Sequence, residues 1–187
     1  MHDLAGDPPL RLRAPGFEGL ARIIVGQQVS VASAEAIWSR TFAAVQPFDA
    51  ATLLALPDEA LRSAGLSRPK VRTLRAVAEA VADGLDLAAL ATAEEATVRD
   101  ALCGIGGIGP WTADVFALFC MGRADAFAPG DLALQVAAQM AFELAERPDP
   151  RQLEALAERW RPWRGVAARM LWAYYKAAKQ ASSGQPV

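Results

Sequence analysis

Residues 104–116 read GIGGIGPWTADVF. Glycines at 104, 106, 107 and 109 stand immediately before an apolar run that opens with Pro110 and Trp111. Proline suits the first turn of a helix, where its missing N–H costs little. The stretch therefore predicts a helix ending near Leu102, a tight turn, and a second helix beginning near Pro110. Gly107 and Gly109 are expected to allow positive φ and close approach of another backbone. Unpaired N–H groups at the start of the second helix would point outward, which suits a phosphate. A glycine-rich turn between two core helices accounts for the same residues, and glycine motifs are weak alone.

Outward from this turn, almost everything reads as helix. Alanine and leucine dominate, and no alternation at period two stands out. Prolines at 8, 9 and 15 make residues 1–16 an irregular arm. Helices are predicted over 17–28 and 30–45, with Ser30 as a cap of the second. Asp49 and Pro57 open two short ones, the second ending before Gly65. A helix from Ser67 carries Val71, Leu74, Val77, Ala78 and Val81 on one stripe and stops at Gly84. Short helices near 86–91 and 94–102 lead into the glycine turn. Helices over 110–121, 131–146, 150–160 and 162–180 complete a core of residues 17–180, with 181–187 a flexible tail. The expectation is an all-α fold of about ten short helices.

Composition narrows the class. The chain has 187 residues, 53% of them hydrophobic, enough for a sizeable core. Cys103, Cys120 and a single terminal histidine, His2, argue against a structural zinc or iron–sulfur site. The thiols read as buried and reduced, as in a cytoplasmic protein. No signal pattern or membrane-length apolar run is evident. The formal net charge of −2 does not announce nucleic-acid binding, but main-chain amides can hold a phosphate without formal charge. Arg68, Lys70 and Arg72 read as a solvated helix start that could also reach DNA.

About twenty residues past the turn stands DAFAPGDLALQVAAQM, in which Pro129-Gly130 forms a turn and Asp131 precedes an apolar helix. Aspartate is a preferred N-cap, worth about 1 kcal/mol. Capping and chemistry are compatible: a carboxylate at a helix start is favoured in its charged form, which is useful where a reaction centre becomes cationic.

Four segments occur in order: IIVGQQVSVASA, LCGIGGIGPWTADVF, the spaced Pro-Gly-Asp, and ERWRPWRGVAARMLW. Over residues 16–180 the chain resembles the helix–hairpin–helix DNA glycosylase superfamily, of the 3-methyladenine DNA glycosylase II (AlkA) type, in a minimal form lacking the N-terminal extension. The resemblance implies two small lobes with an active-site cleft between them. It implies double-stranded DNA with damaged bases as partner, a monomer, and a cytoplasmic, nucleoid-associated location. Asp131 becomes the catalytic residue for hydrolysing an N-glycosidic bond, with the base flipped out of the stack. Trp111 and Trp172 take aromatic positions of the base pocket, where an indole face would attract a cationic alkylated purine. Trp38, Trp160 and Trp163 read as core or structural.

Gln28, with Gln27 beside it, falls where the family places a wedge in the gap left by the flipped base. Gly107, Gly109, Trp111 and Thr112 would supply phosphate-facing amides. The family's hairpin cation, Na+ or K+, would be held by the carbonyls of Cys103, Ile105 and Ile108; no cofactor is implied for catalysis. The strand-cutting branch keeps a lysine where this chain has Trp111, and residues 104–130 contain no lysine, so a glycosylase without lyase activity is expected. Departures are Gly106 in place of a hairpin proline, Pro110 in place of one amide, and Val115 and Leu132 at two pocket positions that are aromatic in fuller relatives. A glycosylase for another damaged or mismatched base, or a non-catalytic DNA-binding module, stays open at this point.

Overall fold

The computed structural model describes residues 2–8 and 10–182. Among them are eleven α-helices and two short 3₁₀ turns, with no strand. None of the helices is long and apolar enough to cross a membrane. The chain divides into two compact units: a central unit, Arg13–Met121, and a terminal unit joining Met1–Leu12 to Gly122–Val187.

The central unit holds α2 (Gly16–Gly26), α3 (Val31–Ala44), α4 (Ala50–Ala55), α5 (Asp58–Ser63), α6 (Arg68–Ala82), α7 (Glu95–Cys103) and α8 (Pro110–Phe119). Its boundaries follow local chemistry. The Ser30 hydroxyl accepts the Ser33 N–H at 3.2 Å and the Asp49 carboxylate accepts the Thr52 N–H at 2.8 Å, each satisfying a donor left over by helix geometry. Val71, Leu74, Val77 and Ala78 of the α6 stripe are buried, while Val81 is half-buried. The predicted helix near 86–91 is only a 3₁₀ turn, Ala89–Thr92, because the Asp86 side chain takes the N–H groups of Ala88 and Ala89. Burial pushes the Cys120 thiol up to about 12, which leaves it unreactive at neutral pH.

The terminal unit holds α1 (His2–Ala5), α9 (Leu132–Ala141), α10 (Pro150–Ala157), a 3₁₀ turn (Glu158–Trp160) and α11 (Arg164–Ser182). Three boundaries differ from expectation. The arm is not wholly irregular, since His2–Ala5 completes one helical turn, closed by the Gly6 N–H on the His2 carbonyl, before Pro8 interrupts it. The helix predicted to reach 146 ends at Ala141, because Glu143 adopts φ 52° and turns the chain left-handed. Residues 181 and 182 continue α11; the rest of the predicted tail, 183–187, lies outside the described residues.

Trp38 is buried and Trp160 stacks on Phe142, 5.9 Å between ring centres. Trp163 is 59% exposed and is not a core residue. It sits at the turn into α11, held by its N–H on the Trp160 carbonyl, with its ring outside.

The arginines around Trp163 explain the RPWR segment. Asp125 accepts from Arg161 Nη1 at 2.8 Å, from Arg164 Nη2 at 2.9 Å and from the Arg164 N–H at 3.1 Å, and the Arg164 side chain is buried. Burial raises the Asp125 carboxyl, but the Arg164 hydrogen bonds and both arginine charges outweigh it, leaving the group below its ordinary value. A lowered folded value means stability that is present at neutral pH and lost as pH falls below about 4. Asp125→Asn is expected to cost about 1–3 kcal/mol at pH 7, because it leaves the buried Arg164 guanidinium with the longer Glu158 contact, at 3.3 Å, in place of both carboxylates. Urea unfolding at pH 7 and below pH 4 checks this, with the difference from wild type narrowing in acid.

Candidate active site

The glycine turn forms as read. α7 ends at Cys103, and Ile105 and Ile108 point inward and are buried, so the turn hangs from the core by its two isoleucines. Asp114, 6% exposed, ties the two helices together through Arg99 Nη2 at 2.8 Å. The glycines divide by cause. Gly107 has φ +90°, and a Cβ there would overlap the Thr73 hydroxyl of α6. Only glycine suits that conformation and that approach. Gly109 corrects the expectation of positive φ: it lies at φ −107° as the N-cap of α8, and a Cβ there would meet nothing within 4 Å. No acceptor among the described residues takes the N–H of Gly107 or Gly109.

Thr112 does not present the amide expected of it. Its N–H goes to the Gly109 carbonyl at 2.9 Å, and its hydroxyl is buried beneath the turn. That hydroxyl accepts the Gln27 amide Nε2–H at 2.8 Å, so Gln27 is an internal tie between the α2–α3 turn and α8 rather than a wedge. Lys70 adds a second tie, donating to the Val25 carbonyl at 2.7 Å, and burial lowers its pKa. It is therefore a fixed cap of α2, whereas Arg68 and Arg72 remain exposed. Gln28 stands beyond both ties, exposed and left-handed at φ 55°. A non-glycine residue in this region is strained and marks a position where the surroundings impose the conformation.

The proposed cation ligands are main-chain oxygens on the same turn. The Ile105 carbonyl accepts the Ile108 N–H at 3.0 Å, while among the described residues the carbonyls of Cys103 and Ile108 take no main-chain N–H. Neutral carbonyl oxygens suit a monovalent cation. Trp111, on the first turn of α8, is half-buried. Val115, expected at the pocket, is 5% exposed and so is buried rather than presented at the surface.

In the terminal unit, Asp131 stands at the start of α9. Pro129 and Gly130 turn the chain, with the Asp131 N–H on the Ala128 carbonyl at 3.0 Å. Asp131 caps α9, its Oδ1 accepting the Leu134 N–H at 3.0 Å. The same Oδ1 accepts the indole Nε1–H of Trp172 at 3.0 Å. Two residues predicted separately as acid and pocket are thus in direct contact. Gln135, one turn into α9 and buried, donates to the Pro129 carbonyl at 3.0 Å and fixes the turn that carries Asp131. The sequence reading missed it; a polar residue among LALQVAAQM was the available signal. Leu132, beside the carboxylate, is 58% exposed.

Residues 21–162 match the model of the HhH-GPD superfamily base excision DNA repair protein. The chain is 33% identical to the probable bifunctional transcriptional activator/DNA repair enzyme AlkA of Mycobacterium tuberculosis, across 90% of this chain and 38% of that protein. It is 32% identical to DNA-3-methyladenine glycosylase 2 of Escherichia coli, across 86% and 60% of the two chains. It thus spans less than two thirds of either relative, and little more than a third of the first. Among solved structures, a DNA-3-methyladenine glycosidase of Bacillus halodurans superposes with a TM-score of 0.78 at 36% identity, covering 95% of this chain and 82% of that one. The match over most of its length places the chain in the HhH-GPD superfamily of base-excision DNA repair proteins.

Proposed function

We propose that this protein is a DNA glycosylase that hydrolyses the N-glycosidic bond of flipped-out alkylated purines of the 3-methyladenine kind, without lyase activity. The observation that carries the reading is Asp131: a carboxylate fixed at a helix start by the Leu134 N–H and the Trp172 indole. In the reaction the C1′–N bond breaks and its electron pair stays with the cationic base, which leaves neutral. The sugar takes on oxocarbenium character, which the Asp131 carboxylate stabilises, by analogy with other glycoside hydrolysis. Water then bonds to C1′ and loses its proton to the carboxylate or to solvent. A cationic base is already a good leaving group and needs little acid catalysis.

The indole faces of Trp111 and Trp172 would attract such a base by about 0.5–2 kcal/mol. Leu132 adds an apolar surface next to the acid. Gln28 would fill the gap in the duplex, and the N–H groups of Gly107 and Gly109 would hold phosphate without reading sequence. Na+ or K+ at the carbonyls of Cys103, Ile105 and Ile108 would stiffen the turn and add positive potential beneath that phosphate. Trp111 stands where a lyase would need a lysine, so no Schiff base forms there.

The test is a lesion panel on duplex DNA with borohydride added in parallel. Release of 3-methyladenine without borohydride-trapped protein–DNA adduct is expected. Release of only oxidised, deaminated or mismatched bases would move the chain to another substrate class. No release of any base, with DNA still bound, would make it a binding module. Efficient trapping would overturn the absence of lyase chemistry.

A further inference from the structure

We infer that Trp172 is a positioning residue for Asp131, acting through the edge of its indole as well as offering a face to a base. This deepens the glycosylase reading and rests on it. A helix cap needs one main-chain N–H. Asp149, which caps α10, accepts only the Gln152 N–H at 2.8 Å. Asp131 accepts the corresponding Leu134 N–H and then a second donor from α11, a different helix, onto the same oxygen. Two donors converging on Oδ1 fix the rotation of the carboxylate about its Cβ–Cγ bond, which the cap alone leaves broad. A hydrogen bond to a charged acceptor is about twice as strong as a neutral one.

Both partners sit on fixed ground. On the acid side, Gln135 holds the Pro129 carbonyl and the Asp131 N–H holds the Ala128 carbonyl. On the tryptophan side, Ala168 and Leu171 of α11 are buried, and Arg169 donates to the Arg11 carbonyl at 3.3 Å. The indole N–H lies in the ring plane, so a bond along the edge leaves the π-faces perpendicular to it. One ring can therefore set the angle between the carboxylate and a base stacked on that face. Preorganisation of this kind speeds the chemical step by removing reorganisation at the moment of reaction.

The test replaces Trp172 by 3-benzothienylalanine, which keeps the shape and faces of the indole and removes only the N–H. Single-turnover release of 3-methyladenine is measured alongside affinity for a duplex carrying an abasic-site analogue. Release is expected to slow about 10- to 100-fold, with affinity and thermal midpoint unchanged. In ¹⁵N-indole-labelled wild type, the Trp172 N–H, assigned with W172F, is expected to exchange with solvent more slowly than in D131A. A release rate within twofold of wild type would overturn the positioning role, as would a loss confined to DNA affinity. So would equal exchange rates in wild type and D131A. Should wild type release no base at all, the glycosylase reading fails and the catalytic role with it, while the exchange measurement still reports the contact.

Discussion

Asp131→Asn is expected to leave the protein folded and able to bind DNA, yet to slow base release by at least about 100-fold. Asparagine and aspartate are near-equal N-caps, so the Leu134 N–H keeps an acceptor and α9 keeps its start. Under the proposed mechanism, what the substitution removes is the negative charge that would face a developing cation. Neutralising an acid near phosphate cannot weaken DNA binding by electrostatics; it leaves affinity unchanged or raises it. The check is single-turnover release set beside a binding isotherm and a thermal midpoint for the same preparation. Release at the wild-type rate would remove Asp131 from the mechanism, and a collapsed thermal midpoint would make it a structural cap.

Gly107→Ala and Gly109→Ala are expected to fail in opposite ways. At Gly107 a methyl group meets the Thr73 hydroxyl, and the backbone stands at φ +90°. The conformational penalty and the overlap together cost about 2–5 kcal/mol, a large share of a domain's stability. At Gly109 the backbone is extended and the space is empty, so the substitution changes stability by about 0.5 kcal/mol or less. Its effect is expected to fall on DNA, because a methyl group would stand where the proposed phosphate contact approaches the Gly109 N–H. Denaturant midpoints and duplex affinity for the two variants separate the cases. A Gly109→Ala protein that binds duplex as tightly as wild type would show that no backbone approaches there.

The parts legible in the sequence share one property: their cause lies within a few residues. Proline at 110, glycines before it and an apolar run after it punctuate the chain locally, so the turn and both flanking helices could be read. The caps at Ser30, Asp49 and Asp131 follow the same logic. The HhH-GPD pattern was legible because its segments keep their order and spacing even though each is weak alone.

Where side chains depart from expectation, the decisive contact or packing often comes from far along the chain. Gln27 and Gln28 look alike side by side, but Gln27 reaches 85 residues ahead to Thr112 while Gln28 stands out alone with positive φ. Thr112 loses its expected role locally instead, its N–H taken by the Gly109 carbonyl three residues back. Val115 and Leu132 share an expected pocket role, yet tertiary packing buries the first and leaves the second exposed. Trp163 has the composition of a core residue and sits outside at a helix start.

Amino-acid order by itself determined the all-helical class, the glycine turn, the acid at a helix start and the family, because these depend on local backbone chemistry and on spacing. Tertiary structure alone decided which glycine is obligatory, which glutamine is exposed, and that Trp172, 41 residues past Asp131, donates its N–H to that carboxylate. The reason is physical: a helix phase and a cap are set within a turn or two of chain. A hydrogen bond between helices exists only once packing has fixed where each side chain points.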